Sequence, residues 1–313
     1  MELVVAIQSF EDLGIIQTPW GYDKLTAMEQ ETSQSFYNAL NETIGELQPK
    51  RVYFGSEFCQ YRLCDEDELI EAFEVTHQNG LQFSFAAPYL PQSGMKSLER
   101  LLNHLANYIQ ENYPEVEVEI ICNDWGVLHF IKTYHGHIFT PVLGRLLNKM
   151  IRDPRVTQHY NREDAPKLAN SQFKQSSYTV HYYRDFVKSA GVQLIEFDNT
   201  SQGLELEEGF SDFQIAIHFN YGCIATGRTC LVGSLHVEQS EKFRGHIACK
   251  QQCRQYTAEM INKHPRINSL QNRVFQKGNS VFFQQNFEQM KEGLQVAKQN
   301  NAHRIIYSPR LPV

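Results

Sequence analysis

No stretch of this chain approaches the roughly 20 consecutive apolar residues that a membrane-spanning helix needs. The opening residues, Met1-Glu-Leu-Val-Val-Ala-Ile7, carry an acid at position 2 and only a short apolar run. They lack the basic start and long apolar centre of a secretion signal. There is no short-period repeat and no low-complexity tract. Gly-x-Ser-x-Gly and His-Glu-x-x-His are also missing, so the sequence advertises neither a serine nucleophile elbow nor a zinc-peptidase helix. Positive charge is in deficit, at a net −7, which argues against indiscriminate nucleic-acid binding. These absences predict a cytoplasmic protein without a membrane span. In that reducing compartment, clustered cysteines signify metal or redox chemistry and not disulfides.

What is present is a four-cysteine stretch. Four of the seven cysteines, Cys223, Cys230, Cys249 and Cys253, fall within thirty-one residues. Thiolates are strong soft ligands, and four of them complete a set for an iron–sulfur cluster or for zinc. Structural zinc sites favour pairs two to four residues apart. Only Cys249 and Cys253 have that spacing, while six residues separate Cys223 from Cys230. The irregular spacing favours a 4Fe–4S cluster, with zinc as the alternative and four buried packing cysteines as the bland reading. From Glu241 to Lys277 there are eight Lys/Arg against two acids. These cations either attract an anionic partner, such as a small molecule or RNA, or offset the charge of thiolates and cluster.

The 313 residues, 42% of them hydrophobic, suit one large domain. Leu3–Ile7, Arg51–Phe54, Leu81–Ala86, Glu115–Ile121, His137–Phe139, Val192–Phe197, Phe213–Phe219 and Arg304–Tyr307 read as strands. Apolar spacing predicts helices over residues 33–47, from Asp65 to Gly80, over 98–109, 142–152 and 178–189, and from Phe287 to Gln299. Asp65-Glu-Asp-Glu68 has the form of a capping box. Strand and helix alternate through about eight strands, which predicts an α/β fold of the (β/α)₈ TIM-barrel type. A single barrel domain would span 1–313. Residues 220–283 would form a cysteine-rich metal segment after the seventh strand, and 154–177, polar and poorly periodic, a flexible insertion.

Barrel enzymes keep their chemistry at the C-terminal ends of strands. That rule selects Glu57 and Arg62, Asn123 and Asp124, Asp198, Asn199 and Gln202, and His218 with the cysteines beyond it. The catalytic candidates are Arg62, Asp124, Asp198 and His218. Asp124 is equally placed to cap the following helix, and His218 to sit as a satisfied core histidine. Arg62, Arg228 and Arg254 are candidates for binding an anionic substrate, although an ion pair of Arg62 with Glu57 or Asp67 accounts for it equally. Cys59 and Cys64 flank Arg62 and read first as packing residues, as does Cys122. A Cys59–His77 or Cys64–His77 pair would supply a peptidase nucleophile.

The order of these features resembles the collagenase-like peptidase family U thirty-two. Val52-Tyr-Phe-Gly55 through Arg62 resembles its second-strand signature, and Asn123-Asp-Trp-Gly126 its Asp-x-Gly after strand four. Gly227 with Cys230, and Cys249-x-x-x-Cys253-Arg254, resemble its cysteine section. The Cys230–Cys249 spacer is slightly long for the family, and Phe58-Cys59 stands where a Phe is usual before the Arg. The resemblance implies a barrel with a 4Fe–4S cluster on Cys223, Cys230, Cys249 and Cys253. It implies oxygen-independent hydroxylation of an RNA base or of an aromatic small molecule such as a ubiquinone precursor. Peptide cleavage, and a non-catalytic subunit with a homologous protein partner, are the alternatives.

Overall fold

The computed structural model describes residues 1–155, 166–206, 210, 212–242, 249–261 and 272–313. Eight parallel strands close into a barrel. In chain order they are β1 (Glu2–Ile7), β2 (Pro49–Phe54), β3 (Gln82–Ala87), β4 (Val118–Cys122), β5 (Phe139–Leu143), β6 (Leu194–Asp198), β7 (Gln214–Phe219) and, after an inserted sheet, β12 (Arg304–Tyr307). The ring closes where β1 pairs with β12, Glu2 opposite Arg304 and Val5 opposite Tyr307. This is the TIM-barrel-like α/β fold that the strand–helix alternation predicts.

Side chains alternate between the two faces of each strand. One set, Val4, Ala6, Tyr53, Ala86, Ile121, Val142, Leu194, Ala216 and Ile306, fills the barrel interior. The other set, including Leu3, Val5, Val52, Phe54, Phe83 and Phe85, packs outward against helices. Both faces are buried, so these strands are near-continuous apolar runs. The covering helices are α1 (Ala27–Thr43), α2 (Glu66–Gln78), α3 (Gln92–Asn112), the short α4 (Trp125–Phe130), α5 (Lys167–Lys174), α6 (His181–Ser189) and α7 (Phe287–Gln299).

The capping box at Asp65 is present: its side chain accepts from the Glu68 amide, and Glu68 answers to the Asp65 amide. Thr26 and Glu29 make another, which starts α1 at Ala27, before the expected 33. The helix expected over 142–152 is not there. Phe139-Thr-Pro-Val-Leu143 is strand and Gly144–Leu147 a turn. Gly144 sits where a Cβ would be 2.3 Å from the Asn123 side chain, so the chain turns against the end of β4.

Between β7 and β12 the chain builds a second sheet, in the order β8 (Tyr221–Thr226), β11 (Ser280–Gln284), β10 (Val274–Lys277), β9 (Ala258–Glu259). It is antiparallel, with Phe282 opposite Cys223. Asn220, left-handed at φ 76°, turns the end of β7 into β8. The sheet therefore forms a roof at the C-terminal mouth of the barrel. Of the insertion expected at 154–177, residues 156–165 lie outside the described residues, and Lys167–Lys174 is helix. Arg244, Lys263 and Arg266 of the basic stretch also lie outside them.

Candidate functional site

Two polar clusters share the C-terminal mouth, and one loop serves both. After β2 the chain turns at Gly55, where φ is 123° and a Cβ would sit 2.6 Å from the Ala86 carbonyl oxygen. Only glycine fits that approach. The turn delivers Glu57, Phe58 and Cys59 to the mouth.

The first cluster is ionic. Arg145, two residues past β5, is wholly buried. Its Nε and Nη2 donate to the two Glu57 oxygens at 2.8 and 2.7 Å. Its Nη1 donates to Asp198 at 2.9 Å and to the Tyr221 carbonyl at 3.3 Å. Arg152 pairs with the other Asp198 oxygen at 2.7 Å, and Asp198 accepts the Cys223 amide at 3.2 Å. Burial alone would raise the Asp198 carboxyl, but Arg145 and Arg152 outweigh it and hold it below the usual range.

Glu196 points into the same layer from β6, and His218 from β7; the two meet at 2.9 Å. Burial pushes Glu196 up to about 8, against the pull of Arg145. Burial, with Arg145 nearby, pushes His218 down to about 3. At neutral pH a protonated carboxyl therefore shares a hydrogen bond with a neutral imidazole. Glu57, Glu196 and His218 bring ligand atoms within 4.8 Å of one another. Glu196 Oε1 and His218 Nδ1 have no hydrogen-bond partner. A neutral acid beside a neutral base can give or take a proton near pH 7, which is what general acid–base work requires.

The second cluster consists of thiols, and Cys59 joins those of the sequence stretch in it. Burial pushes Cys59 up to about 12, and the charges of Cys253, Cys249 and Cys230 add to the rise. Burial also raises Cys230, with Cys253 and Cys249 contributing, and raises Cys253, with Cys249 contributing. Cys59, Cys230, Cys249 and Cys253 thus lie within one another's fields. Cys223 is also pushed up to about 12 by burial, but the charges acting on it are Asp198, Arg152, Arg145 and Glu57. It stands on β8 between the two clusters, packed in the same buried group as Cys59, Cys253 and Cys230. Backbone amides reach two of the sulfurs: Gly233 donates to Cys230 Sγ at 3.1 Å and Gln251 to Cys249 Sγ at 3.3 Å. Among the described residues no three cysteine sulfurs come within 4.8 Å of one another. A tetrahedral zinc site with 2.3 Å bonds holds its sulfurs about 3.8 Å apart.

Two cations flank the thiols, and an acid acts on each: Glu11 on Arg62 and Glu29 on Lys277. Arg62 donates to Val313 O at 3.3 Å and to Gln251 Oε1 at 3.4 Å. Lys277 Nζ donates to the Leu311 carbonyl at 2.7 Å. Both act on Cys253, lowering it against its burial. Arg254, by contrast, is exposed and pairs with Glu11 at 2.9 Å. A cavity of about 210 Å³ opens beside Cys59 and Cys230, walled by Phe58, Tyr61, Tyr89 and Asn279. Arg228 stands at its edge, its guanidinium 5.6 Å from the Tyr89 ring centre.

The other sequence candidates have structural roles. Asp124 caps α4, accepting the Gly126 amide at 2.7 Å. Asn199 is tied to Gln285 and to the Gln289 carbonyl, and Gln202 to the Phe173 carbonyl. Cys122 is buried in the core and Cys64 packs against it. His77 stacks on Phe73 at 5.8 Å. Its ring meets Phe73 and Tyr113, and among the described residues it meets neither Cys59 nor Cys64. Arg62 meets neither Glu57 nor Asp67, because Arg145 occupies Glu57. Arg145, Arg152, Glu196 and Lys277 were not among the candidates. Glu196 carries a legible signal, an acid in the middle of the apolar run Leu194-Ile-Glu-Phe-Asp198.

A larger cavity, about 770 Å³, opens at the N-terminal end of the barrel. Its charges are matched: Arg51 with Glu2 and Glu119, Arg304 with the same two acids, at 2.6–3.2 Å. That face of a barrel characteristically serves stability.

The fold and mouth define a class, an eight-stranded parallel α/β barrel whose C-terminal face carries a buried acid–base layer beside a thiol cluster. No protein-family model matches the chain, and no curated protein does. Among solved structures, the spore cortex-lytic enzyme SleL of Bacillus megaterium QM B1551 aligns at a TM-score of 0.34 and 10% identity. The alignment covers 98% of this chain and 70% of that one. So slight a likeness carries no functional inference. Among the described residues no helix is long and apolar enough to cross a membrane.

Proposed function

We propose that this is an iron–sulfur barrel protein with oxygen-independent hydroxylase-like redox chemistry, of the kind the collagenase-like peptidase family U thirty-two includes. Its substrate would be an RNA base or an aromatic small molecule. The observation that carries the reading is the convergence of Cys59, Cys230, Cys249 and Cys253 beside Arg62 and Lys277. In this reading Cys59 takes the ligand position that the sequence stretch suggested for Cys223. Four thiolates make a full ligand set for such a cluster. A 4Fe–4S cluster supplies electron transfer when bound. The chain's own residues do the rest. Arg228 and Tyr89 border a cavity in which an anionic, flat substrate fits. Glu196 and His218 hold a proton between the barrel interior and the mouth.

The peptidase reading lacks an equivalent observation, since neither Cys59 nor Cys64 has a histidine beside it among the described contacts. Protein isolated without air is expected to be brown, with iron and sulfide in near-equal amounts. Cys59→Ala, Cys230→Ala or Cys253→Ala should each abolish the colour, while Cys223→Ala should keep it. Colourless protein with stoichiometric zinc would overturn the cluster. Colour that survives Cys59→Ala but not Cys223→Ala would return the ligand position to Cys223.

A further inference from the structure

We infer that Glu57, Glu196 and His218 form a site for one divalent first-row metal ion, of the Mn(II) or Fe(II) kind, in the floor of the barrel mouth. The site is separate from the thiols and stands with or without a cluster on them. Its three residues come from the loop after β2, from β6 and from β7. Each offers one ligand atom, and these atoms lie within 4.8 Å of one another. One imidazole and two carboxylates make a mixed nitrogen and oxygen set, which such ions prefer over thiolates. Glu196 Oε2 and His218 Nε2 are 2.9 Å apart. Neighbouring ligands on an ion with bonds of about 2.1 Å are separated by about 3 Å. The ion therefore takes the place of the hydrogen between them, which leaves to solvent. Without the ion the pair keeps its shared proton.

The barrel's two polar layers differ. Near the N-terminal end Arg51, Ser84, Glu119 and Arg304 bond one another: Arg51 to Glu2 and Ser84, Ser84 to Glu119, Arg304 to Tyr53 and Glu119. The layer at the mouth is not closed by protein groups alone. His218 Nδ1 and Ser56 Oγ are buried without a hydrogen-bond partner among the described residues. Tyr53 acts on Glu196, but no hydrogen bond of ordinary geometry reaches Glu196 Oε1. Buried polar atoms are nearly always satisfied, so such groups mark a place for a water or an ion.

The charges favour the ion. Glu57, Asp198 and Glu196 are three acids against the two guanidiniums of Arg145 and Arg152. Once Glu196 gives up its hydrogen the layer carries one negative charge. A dication reverses that to one positive charge, which hydroxide or an anionic substrate group balances at a coordination position the three residues leave open. Arg145 holds Glu57 without using it up, since a carboxylate has about four acceptor sites and the guanidinium takes two. That pairing orients Glu57 as outer partners orient metal ligands. Glu57 keeps a tenth of its side chain exposed, whereas Glu196 and His218 are closed off, so the ion enters from the mouth past Glu57.

The test is titration of the chelator-treated full chain with Mn(II) alone, followed by loss of the free ion's electron paramagnetic resonance signal. One Mn(II) per chain is expected. Glu196→Gln and His218→Gln should each weaken binding by about tenfold or more, since loss of an outer partner alone costs about 10–100-fold. Glu196→Gln keeps the shape of the protonated side chain and should fold as the wild type does, which circular dichroism checks. Cys230→Ala should leave Mn(II) binding unchanged. A wild-type chain that takes up no Mn(II) at millimolar concentration would overturn the site and leave water as the partner of the unpaired atoms. Binding that survives both Glu196→Gln and His218→Gln, or that is lost in Cys230→Ala, would put the ion elsewhere and overturn the site as well. None of these results bears on the cluster reading, which iron and sulfide content decides.

Discussion

The two clusters at the barrel mouth use charge in opposite ways. In the ionic layer every guanidinium is matched: Arg145 spans Glu57 and Asp198, and Arg152 takes the remaining Asp198 oxygen. In the thiol cluster Arg62 donates to Val313 O and to Gln251, and Lys277 to the Leu311 carbonyl. Yet the same loop, Gly55 to Arg62, feeds both. The ionic layer locks its guanidinium groups in direct pairs with carboxylates, whereas the thiol cluster gathers sulfurs that need no such pairing while they are protonated. The difference teaches that the chemistry of the partners, and not burial alone, separates the two clusters.

The sharpest way to break the contrast is Arg145→Ala. It strands Glu57 in the interior and leaves Asp198 with Arg152 alone, and breaking a buried pair from one side costs about 3–5 kcal/mol. Urea denaturation should show a loss of that size, whereas Arg62→Gln in metal-free protein should change stability far less. A smaller effect distinguishes the Glu196–His218 pair from its ionised neighbours. Glu196 has its folded value raised to about 8, so its contribution is present at low pH and is lost as pH rises toward 8. His218 has its value depressed to about 3, so its contribution is present above its ordinary value of 6.5 and is lost as pH falls. Above pH 6.5 only the Glu196 effect remains. Stability should therefore fall between pH 6.5 and 8, by on the order of 1–2 kcal/mol, and Glu196→Gln should flatten that fall. The smallest effect belongs to Arg254→Gln, about 0–1 kcal/mol in a thermal melt, because its pair with Glu11 is exposed.

The barrel was largely legible because its strands are buried on both faces and stand out as apolar runs between amphipathic helices. Reading failed where local pattern and tertiary demand disagreed. Residues 142–152 carry leucines at helical spacing, but β5 pairs with its neighbours through Leu143 and the tight Gly144–Asn123 approach turns the chain there. That error hid Arg145, the most connected charge at the mouth. The thiol site was legible in part. Cys230, Cys249 and Cys253 come together, as their proximity in sequence suggests, while Cys59 joins them from 171 residues before Cys230. Cys223 packs with Cys59 and Cys253 while its amide bonds Asp198, so it bridges the two clusters, and sequence spacing cannot show such a position until the register with β11 is known. Glu196 and His218 were found unequally: His218 by its place before the cysteines, Glu196 only once β6 was seen to turn it inward.

The corner at Asn220 has a consequence for how the molecule assembles. The roof leaves the barrel there and re-enters at Gln285. The two ends are laced together, with the Gln285 amide on the Asn220 carbonyl at 2.9 Å and the Asn220 amide on Gln285 Oε1 at 3.2 Å. The Asn220 side chain also donates to the Ser308 carbonyl, at 2.9 Å, just past the last barrel strand. Everything between 220 and 285 is therefore topologically one long loop with touching ends. Closing a long loop costs only about 0.6 kcal/mol more for each doubling of its length. The last helix and strand can shut the barrel whatever the roof contains, so sequence change in the roof is insulated from the scaffold. Selection can rework the thiol-bearing part of this chain without renegotiating the fold beneath it.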